Sequence, residues 1–268
     1  MSENIKYDDP APGVRRITLN RPDSLNALLH SMYVELVDSF AKIALDPSVR
    51  VVVLTGTGKG FCSGQDGANQ EPKSWVPPNV GKQHYALYYM STLSTVVDSI
   101  RNLPQPVIAA VNGTAAGMGY TLAVACDMTI AAESAKFVNA FHNAGTGSEG
   151  GLSYLLPRAV GTQRAAELLL TARPVLAQEA ERIGLVLRTV PDEQLMTAAL
   201  EIAEAIVANA PLDVWLTKQN LNHNLHAGSF RQAIAFETRA SAMATATEDA
   251  QEKRLSRRDK RPPVFRSV

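Results

Sequence analysis

The sequence predicts an α/β protein in two parts, a βα core over residues 1–190 and an all-helical region over 191–268. Three observations lead there. Short apolar runs rich in β-branched residues, such as 51–54 and Val107–Val111, alternate with longer segments whose apolar residues recur at helical spacing. A glycine-rich junction, Asn112-Gly113 and then Gly117-Met118-Gly119, joins one of those runs to a helix of small residues at 120–126. From Asp192 onward only helical periodicity remains.

In chain order, Val14–Leu19 reads as a strand, broken by Arg21-Pro22-Asp23-Ser24, which offers helix caps. Residues 27–41 follow as a helix with Leu28, Met32, Leu36 and Phe40 at helical spacing. The wholly apolar run 51–54 suits a strand covered on both faces. Strand, helix, strand in this order predicts a right-handed βαβ unit. Gly56-Thr57-Gly58-Lys59-Gly60 comes next and misses the dinucleotide fingerprint, because Phe61 stands where the last glycine belongs. Residues 61–67 make a loop rich in accessible N–H groups, and the proline-rich 69–80 fits a lid or a plain insertion. A long helix at 85–103 ends before Pro104, and strands are expected at Met128–Ala132 and Lys136–Val138. The glycine-rich 145–151 holds a single acid, Glu149. Helices at 162–170 and 177–183, a last strand at 185–190, helices at 195–210, 214–221 and 230–247, and a basic tail at 251–268 complete the chain.

The stretch 104–128 carries the chemistry most open to a local reading. Glycines at a strand-to-helix junction let backbone approach a ligand. The first N–H groups of the helix lack intrahelical partners, and with the positive end of the helix dipole they suit a developing negative charge. The same glycines also fit a closely packed corner with no ligand. A phosphate loop is excluded, since no Gly-x-x-x-x-Gly-Lys-Ser/Thr occurs.

The 268 residues are 46% apolar with a formal net charge of zero, enough for one large domain or a domain with an appendage. Neutrality argues against nucleic-acid binding. Cys62 and Cys126 lie far apart, with no CxxC and no matching histidine spacing, so neither a metal site nor a disulfide framework is expected. No uncharged apolar run reaches the length of a membrane span. The opening MSENIKYDDP is acidic and polar, unlike a signal or transit peptide. The expectation is a soluble, cytoplasmic protein with no membrane partner.

Several motifs recur in a telling order: Ile17-Thr18-Leu19-Asn20-Arg21-Pro22 with Leu25-Asn26-Ala27; Val51-Val52-Val53-Leu54-Thr55-Gly56; Gly60-Phe61-Cys62-Ser63-Gly64-Gln65-Asp66; Pro106 through Gly113; Cys126-Asp127; Leu156-Pro157-Arg158 with Gly161; and 180–186. In this order and spacing they resemble the crotonase (enoyl-CoA hydratase/isomerase) superfamily across nearly the whole chain. The resemblance implies a spiral of ββα units forming two sheets, with C-terminal helices that pack into a homotrimer or a dimer of trimers. It implies an acyl-CoA thioester as substrate, with no cofactor besides the coenzyme A that the substrate carries. By matching positions, the backbone N–H groups of Gln65 and Met118 bind the thioester oxygen and stabilise its enolate. The coenzyme's adenine falls near Ala27, Leu29, Ser63, Gly64 and Asp66, and Gly117, Thr121 and Phe141 line the acyl site. Lys253 and Arg254 match a basic pair that approaches the coenzyme's phosphates in relatives. The same charges also fit an ordinary solvated tail.

The resemblance further implies which acids are missing. Familiar hydratases carry two glutamates, and their places here hold Thr121 and Ala140-Phe141. A threonine hydroxyl can bind water but cannot act as a general base near neutral pH. A third position, occupied by an acid in several isomerases and in chlorobenzoyl-CoA dehalogenases, holds Glu149. One carboxylate suffices to take a proton from one carbon and return it to another. The expected activity is therefore an enoyl isomerase/hydratase type of reaction with Glu149 as proton shuttle. A broad-sense hydratase, a hydrolase or dehalogenase with Glu149 as nucleophile, and a non-catalytic acyl-CoA-binding relative remain alternatives, and Glu149 also fits a solvated loop. Other side chains rank lower. Alternation along an extended segment would turn His142 away from Phe141. His84 and Tyr88 share a helix face, His223 and His226 fit a solvated helix end, and Asp66 fits a role in bracing its own loop.

Overall fold

The computed structural model describes residues 3–69 and 76–266. Of the loose segment 69–80, residues 70–75 lie outside the described residues. Ten strands and ten α-helices are described: β1 (Ile5–Ala11), β2 (Val14–Leu19), α1 (His30–Ala44), β3 (Val51–Gly56), β4 (Gly60–Cys62), α2 (Lys82–Asn102), β5 (Val107–Val111), β6 (Thr114–Ala116), α3 (Met118–Ala125), β7 (Met128–Ala132), β8 (Lys136–Val138), α4 (Leu152–Val160), α5 (Thr162–Thr171), β9 (Val175–Leu176), α6 (Ala177–Arg182), β10 (Arg188–Val190), α7 (Leu195–Val207), α8 (Pro211–Asn224), α9 (Phe230–Thr245) and α10 (Glu248–Arg258).

The strands divide into two sheets, β1-β2-β3-β5-β7-β10 and β4-β6-β8-β9. The division follows a repeat: β3, β5 and β7 enter the larger sheet, while the short strands after them, β4, β6 and β8, enter the smaller one. A helix follows each pair, giving the ββα units expected above. β2 and β3 pair in parallel around α1, as the βαβ reading required.

Burial explains the wholly apolar strands. Alternate residues face opposite ways along a strand. Val52, Leu54, Val107 and Ala109 join the main core with α1, α2 and α3. Val51, Val53, Ile108 and Ala110 point the other way, onto Leu195, Ala198, Ala199 and Ala203 of α7. Both faces are covered, so neither face can be polar. Fully burying one such Val, Leu or Ile contributes about 1.5–3 kcal/mol.

The structure departs from the sequence expectations in definable places. β1 is an additional strand, antiparallel to β2. It is an edge strand rich in charge, with Asp8 and Asp9 paired to Arg16 and Arg15, and so shows little apolar alternation. α1 begins at His30 instead of 27, because Leu25 and Asn26 take positive φ values of 48° and 58° and the chain then runs extended to Leu29. The last strand shortens to β10, while Leu185 and Val186 are buried ahead of it. Residues after β8 form a 3-10 helix, Ala140–Ala144, instead of extended chain. Much of the basic tail is helical as α10.

Candidate active site

β4 and β6 are neighbouring parallel strands, so the loops leaving their C-terminal ends emerge side by side. One carries Ser63, Gly64, Gln65 and Asp66; the other is Gly117, which leads directly into Met118 at the start of α3. The approach is close. A methyl group placed on Gly64, whose φ is +100°, would lie 3.0 Å from the Ala116 carbonyl oxygen and 3.4 Å from the Met118 nitrogen. From Gly117, the Gly64 Cα and an edge carbon of Phe141 would each lie 3.9 Å from such a methyl.

The orientation of the first loop is set from behind. Leu28 N–H donates to the Gly64 carbonyl at 2.7 Å, and Asp66 N–H donates to the Leu28 carbonyl at 3.0 Å. Leu28 and Gln65 thus form a parallel bridge, and the intervening Gln65 N–H points away from Leu28. The Met118 N–H belongs to the first turn of a helix and has no intrahelical acceptor. Among the described residues, neither N–H is a donor in any backbone hydrogen bond outside regular structure.

Asp66 braces this loop. It accepts from the N–H groups of Ala68 and Asn69 at 3.1 and 3.0 Å and pairs with Arg21 at 2.9 Å. Burial works against its charge, but Arg21 and these N–H donors outweigh burial and hold its pKa below the ordinary value. Asn26, fully buried, ties the neighbouring turn together by donating to the carbonyls of Thr57 at 3.0 Å and Gly60 at 2.6 Å. Ala27 and Leu29 are buried beside it, and the Ser63 hydroxyl donates to the Ser24 carbonyl at 3.0 Å.

Glu149 reaches the same region from the 145–151 loop and is half-buried. The Thr121 hydroxyl, on α3, donates to the Glu149 carbonyl at 3.2 Å. Gly150, with a φ of +61°, lies against α3 and α2: a methyl there would stand 2.9 Å from Thr121 Cγ2 and 3.2 Å from the Met118 sulfur on α3, and 3.1 Å from Val97 Cγ2 on α2. Phe141 is buried, while His142 is exposed and its Nε2 meets the Leu169 carbonyl at 2.7 Å. A 3-10 turn, not strand alternation, separates those two side chains.

Two tyrosines in this region went unread in the sequence. Tyr33 is 1% exposed; burial pushes its phenol well above the ordinary value, and the nearby Cys62, Tyr89 and Glu149 push the same way. Tyr89 stacks between His30 and Tyr85, with ring centroids 6.0 and 6.4 Å away. Its hydroxyl meets the Gln65 side-chain amide. The Tyr85–Tyr89 spacing of one helical turn was a signal available in the sequence. Tyr33 carried none, lying on an apolar helix face among Met32 and Leu36. Burial also pushes the Cys62 thiol up to about 12.

Other candidates lie elsewhere. His84 and Tyr88 are exposed on α2, and His226 meets the Tyr154 hydroxyl at 2.8 Å. Lys253 donates to the Ala208 carbonyl at the end of α7, and Arg254 is exposed.

Comparison with known proteins bears on this arrangement. A model of the enoyl-CoA hydratase/isomerase family matches residues 10–267. The chain is 44% identical over 265 residues to a probable enoyl-CoA hydratase of Mycobacterium bovis, covering 97% of this chain and 92% of that one. A solved probable enoyl-CoA hydratase/isomerase from Mycobacterium abscessus superimposes with a TM-score of 0.91 at 39% identity, covering 98% and 99% of the two chains. A solved monofunctional enoyl CoA isomerase from M. smegmatis gives 0.73 at 42% identity, covering 87% and 99%. The two-sheet architecture is thus the crotonase fold. With the match running from β1 to the end of the described chain, this protein belongs to the enoyl-CoA hydratase/isomerase family and is an enzyme of that family.

Proposed function

We propose that the protein is an acyl-CoA isomerase that moves a double bond through a thioester enolate. The Gln65 and Met118 N–H groups hold the thioester oxygen, and Glu149 shuttles the proton. In the first step the Glu149 carboxylate takes a proton from a carbon of the acyl chain, and the electron pair shifts to the thioester oxygen. In the second, the enolate collapses and the protonated Glu149 returns the proton to a different carbon. Nothing is oxidised, and no cofactor is needed beyond the coenzyme A of the substrate. Losing one oxyanion-hole donor typically costs about 3 kcal/mol, and a positioned acid-base group contributes roughly 10²–10⁴-fold.

The observation that carries this reading is the docking of the Glu149 loop on the first turn of α3, beside Met118. It favours isomerisation over hydration. Thr121 occupies the place of a hydratase acid, and its hydroxyl is turned to backbone carbonyls, of Glu149 at 3.2 Å and Gly117 at 3.5 Å. The coenzyme's adenine would rest by Ala27, Leu29, Ser63, Gly64 and Asp66, and the acyl chain by Gly117, Thr121 and Phe141. The C-terminal helices would associate the chain into a trimer or a dimer of trimers.

A panel of acyl-CoA thioesters in heavy water, with the wild type and Glu149→Gln, tests the proposal. The variant is expected to bind acyl-CoA normally and to lose turnover by about 10²-fold or more. Retained turnover removes Glu149 from the chemistry. An ester trapped on Glu149 replaces the shuttle with a nucleophile and makes the enzyme a hydrolase or dehalogenase. Absence of α-carbon exchange with every bound thioester makes it a non-catalytic binder.

A further inference from the structure

We infer that Tyr89 is a positioning residue for the reaction: its hydroxyl holds the Gln65 side chain and thereby fixes the direction of the Gln65 N–H. The inference rests on the acyl-CoA reading above, in which that N–H meets the thioester oxygen.

Gln65 is exposed on a short loop, where a long amide side chain ordinarily turns freely. Here its amide donates to the hydroxyl of Tyr89 on α2. The phenol ring is itself held. It stacks between His30 at 6.0 Å and Tyr85 at 6.4 Å, with interplanar angles of 13° and 7°. Tyr85 stands one turn earlier on α2. His30 opens α1, two residues after Leu28. Tyr89 is half-buried, so its ring is packed while its hydroxyl reaches the open face of the loop.

The position of His30 matters because Leu28 grips the same loop from behind. The Leu28 N–H donates to the Gly64 carbonyl, and the Leu28 carbonyl accepts from the Asp66 N–H. These are the groups on either side of Gln65. A loop bonded along a single edge can rock about that edge. Gly64, with its φ of +100°, and the exposed Gly67 give the chain freedom to do so. A further contact off the edge stops the rocking, and the Tyr89 hydroxyl supplies it. Gln65 is thus held at its backbone by Leu28 and at its side chain by Tyr89.

α2 is well placed for this task. Val97, about two turns beyond Tyr89, has its Cγ2 3.1 Å from where a Gly150 methyl would stand. One helix therefore touches both the loop of the proposed Gln65 donor and the loop of the proposed shuttle. An oxyanion donor acts at about 2.7–3.1 Å from the developing charge, and catalytic geometry tolerates errors of only about 0.5 Å.

The test reads the thioester carbonyl directly. Butyryl-CoA labelled with carbon-13 at that carbonyl is bound to the wild type, Tyr89→Phe, Gln65→Ala and the double variant. Infrared difference spectra follow the carbonyl stretch, and NMR in heavy water follows exchange of the α-protons. In the wild type the band is expected at lower frequency than in solution. Tyr89→Phe keeps the stacked ring and removes the hydroxyl. Gln65→Ala keeps the backbone N–H and removes the amide. Each is expected to move the band back toward its solution position and to slow exchange about tenfold. Affinity for butyryl-CoA should stay within about twofold, and the melting temperature should hold. The double variant is expected to be no worse than either single one, since both groups act through one contact. A wild-type band and exchange rate in either single variant would overturn the inference. So would multiplied losses in the double variant, or a marked fall in the melting temperature of Tyr89→Phe. Each of these results leaves the wild-type band shifted and the acyl-CoA reading standing. A wild type that binds no thioester, or leaves the band unshifted, removes both.

Discussion

The Thr121 hydroxyl donates to the backbone carbonyl of Glu149 at 3.2 Å, joining α3 to the loop that holds the candidate shuttle. Thr121 is fully buried, so this bond is shielded from competing water. Thr121→Val keeps the side-chain shape and removes the donor. A neutral hydrogen bond of this kind contributes about 1 kcal/mol, and the carbonyl left behind can relax toward the open side of the loop. The expected result is a fall in kcat of roughly fivefold, with CoA affinity unchanged, because the residues proposed to take the adenine lie on a different loop. Steady-state kinetics separate the two. An equal loss in CoA binding would mean that Thr121 supports the fold at large instead of the shuttle.

Gly64→Ala tests the pairing of the two N–H groups. Its φ of +100° disfavours any side chain, and the new methyl would press on the Ala116 carbonyl at 3.0 Å. The two loops must then separate, and the amides of Gln65 and Met118 separate with them. Turnover is expected to fall by about 10²–10³-fold. Circular dichroism should remain native, since the methyl meets one strand end and not the core. Near-normal turnover would show that the N–H groups need not converge.

How much of this was legible beforehand follows from what each feature writes into a sequence. β3 and β5 announce themselves because covered strands must be apolar throughout. β4 and β6 are three residues long, too short for any periodicity, and yet they position the site. The proposed Gln65 and Met118 donors are backbone atoms, so their side chains give no sign of them; only the match of motifs proposes them. Glu149 was visible as a single acid among glycines, but its docking depends on Gly150, where a Cβ would press to 2.9 Å from Thr121 Cγ2. Lys218 lay unremarked in α8, where its partner on a distant segment could not be inferred from spacing.

The Arg21–Asp66 pair predicts a pH effect. The folded-state pKa of Asp66 lies below the ordinary 3.8. Its contribution to stability is therefore present above that value and is lost as pH falls through the lowered folded-state pKa. Asp66→Asn should be less stable than the wild type at neutral pH. The gap should begin to narrow as the pH drops below 3.8 and close only below the lowered folded-state pKa, where the wild-type carboxyl is neutral in both states. Urea midpoints for both proteins across acid pH measure this directly. A gap that persists undiminished at low pH would mean that the asparagine fails for reasons of shape, not charge.

The proposed association can be tested on α9. Phe230 and Ile234, one helical turn apart, are 81% and 46% exposed, and Ala240 is the buried residue of that helix. Exposed apolar side chains at adjacent turns suit an interface. Sedimentation equilibrium of the wild type is expected to give a trimer or hexamer mass. The double variant Phe230→Glu and Ile234→Glu should shift it toward the monomer, while an unchanged mass places the contact elsewhere.

Lys218 tests how firmly the C-terminal helices hold to the core. It is 5% exposed, and its ammonium meets Asp127 at 2.7 Å and the carbonyls of Ile100 and Gln105 at 3.1 Å each. Burial lowers its pKa, and the Asp127 carboxylate acts in the opposite direction. Asp127 also accepts from the Val107 N–H at 2.8 Å at the start of β5. The pair thus connects α8 to the strand that leads into the site. Lys218→Met would leave a largely buried carboxylate with the Val107 N–H and an Arg101 guanidinium 3.9 Å away. Breaking a buried pair on one side typically costs about 3–5 kcal/mol, so the urea midpoint should fall steeply. Adding Asp127→Asn removes the stranded charge and should recover much of the loss. If the double variant is no more stable than Lys218→Met, the cost lies in the two lost carbonyl contacts and not in the unpaired carboxylate.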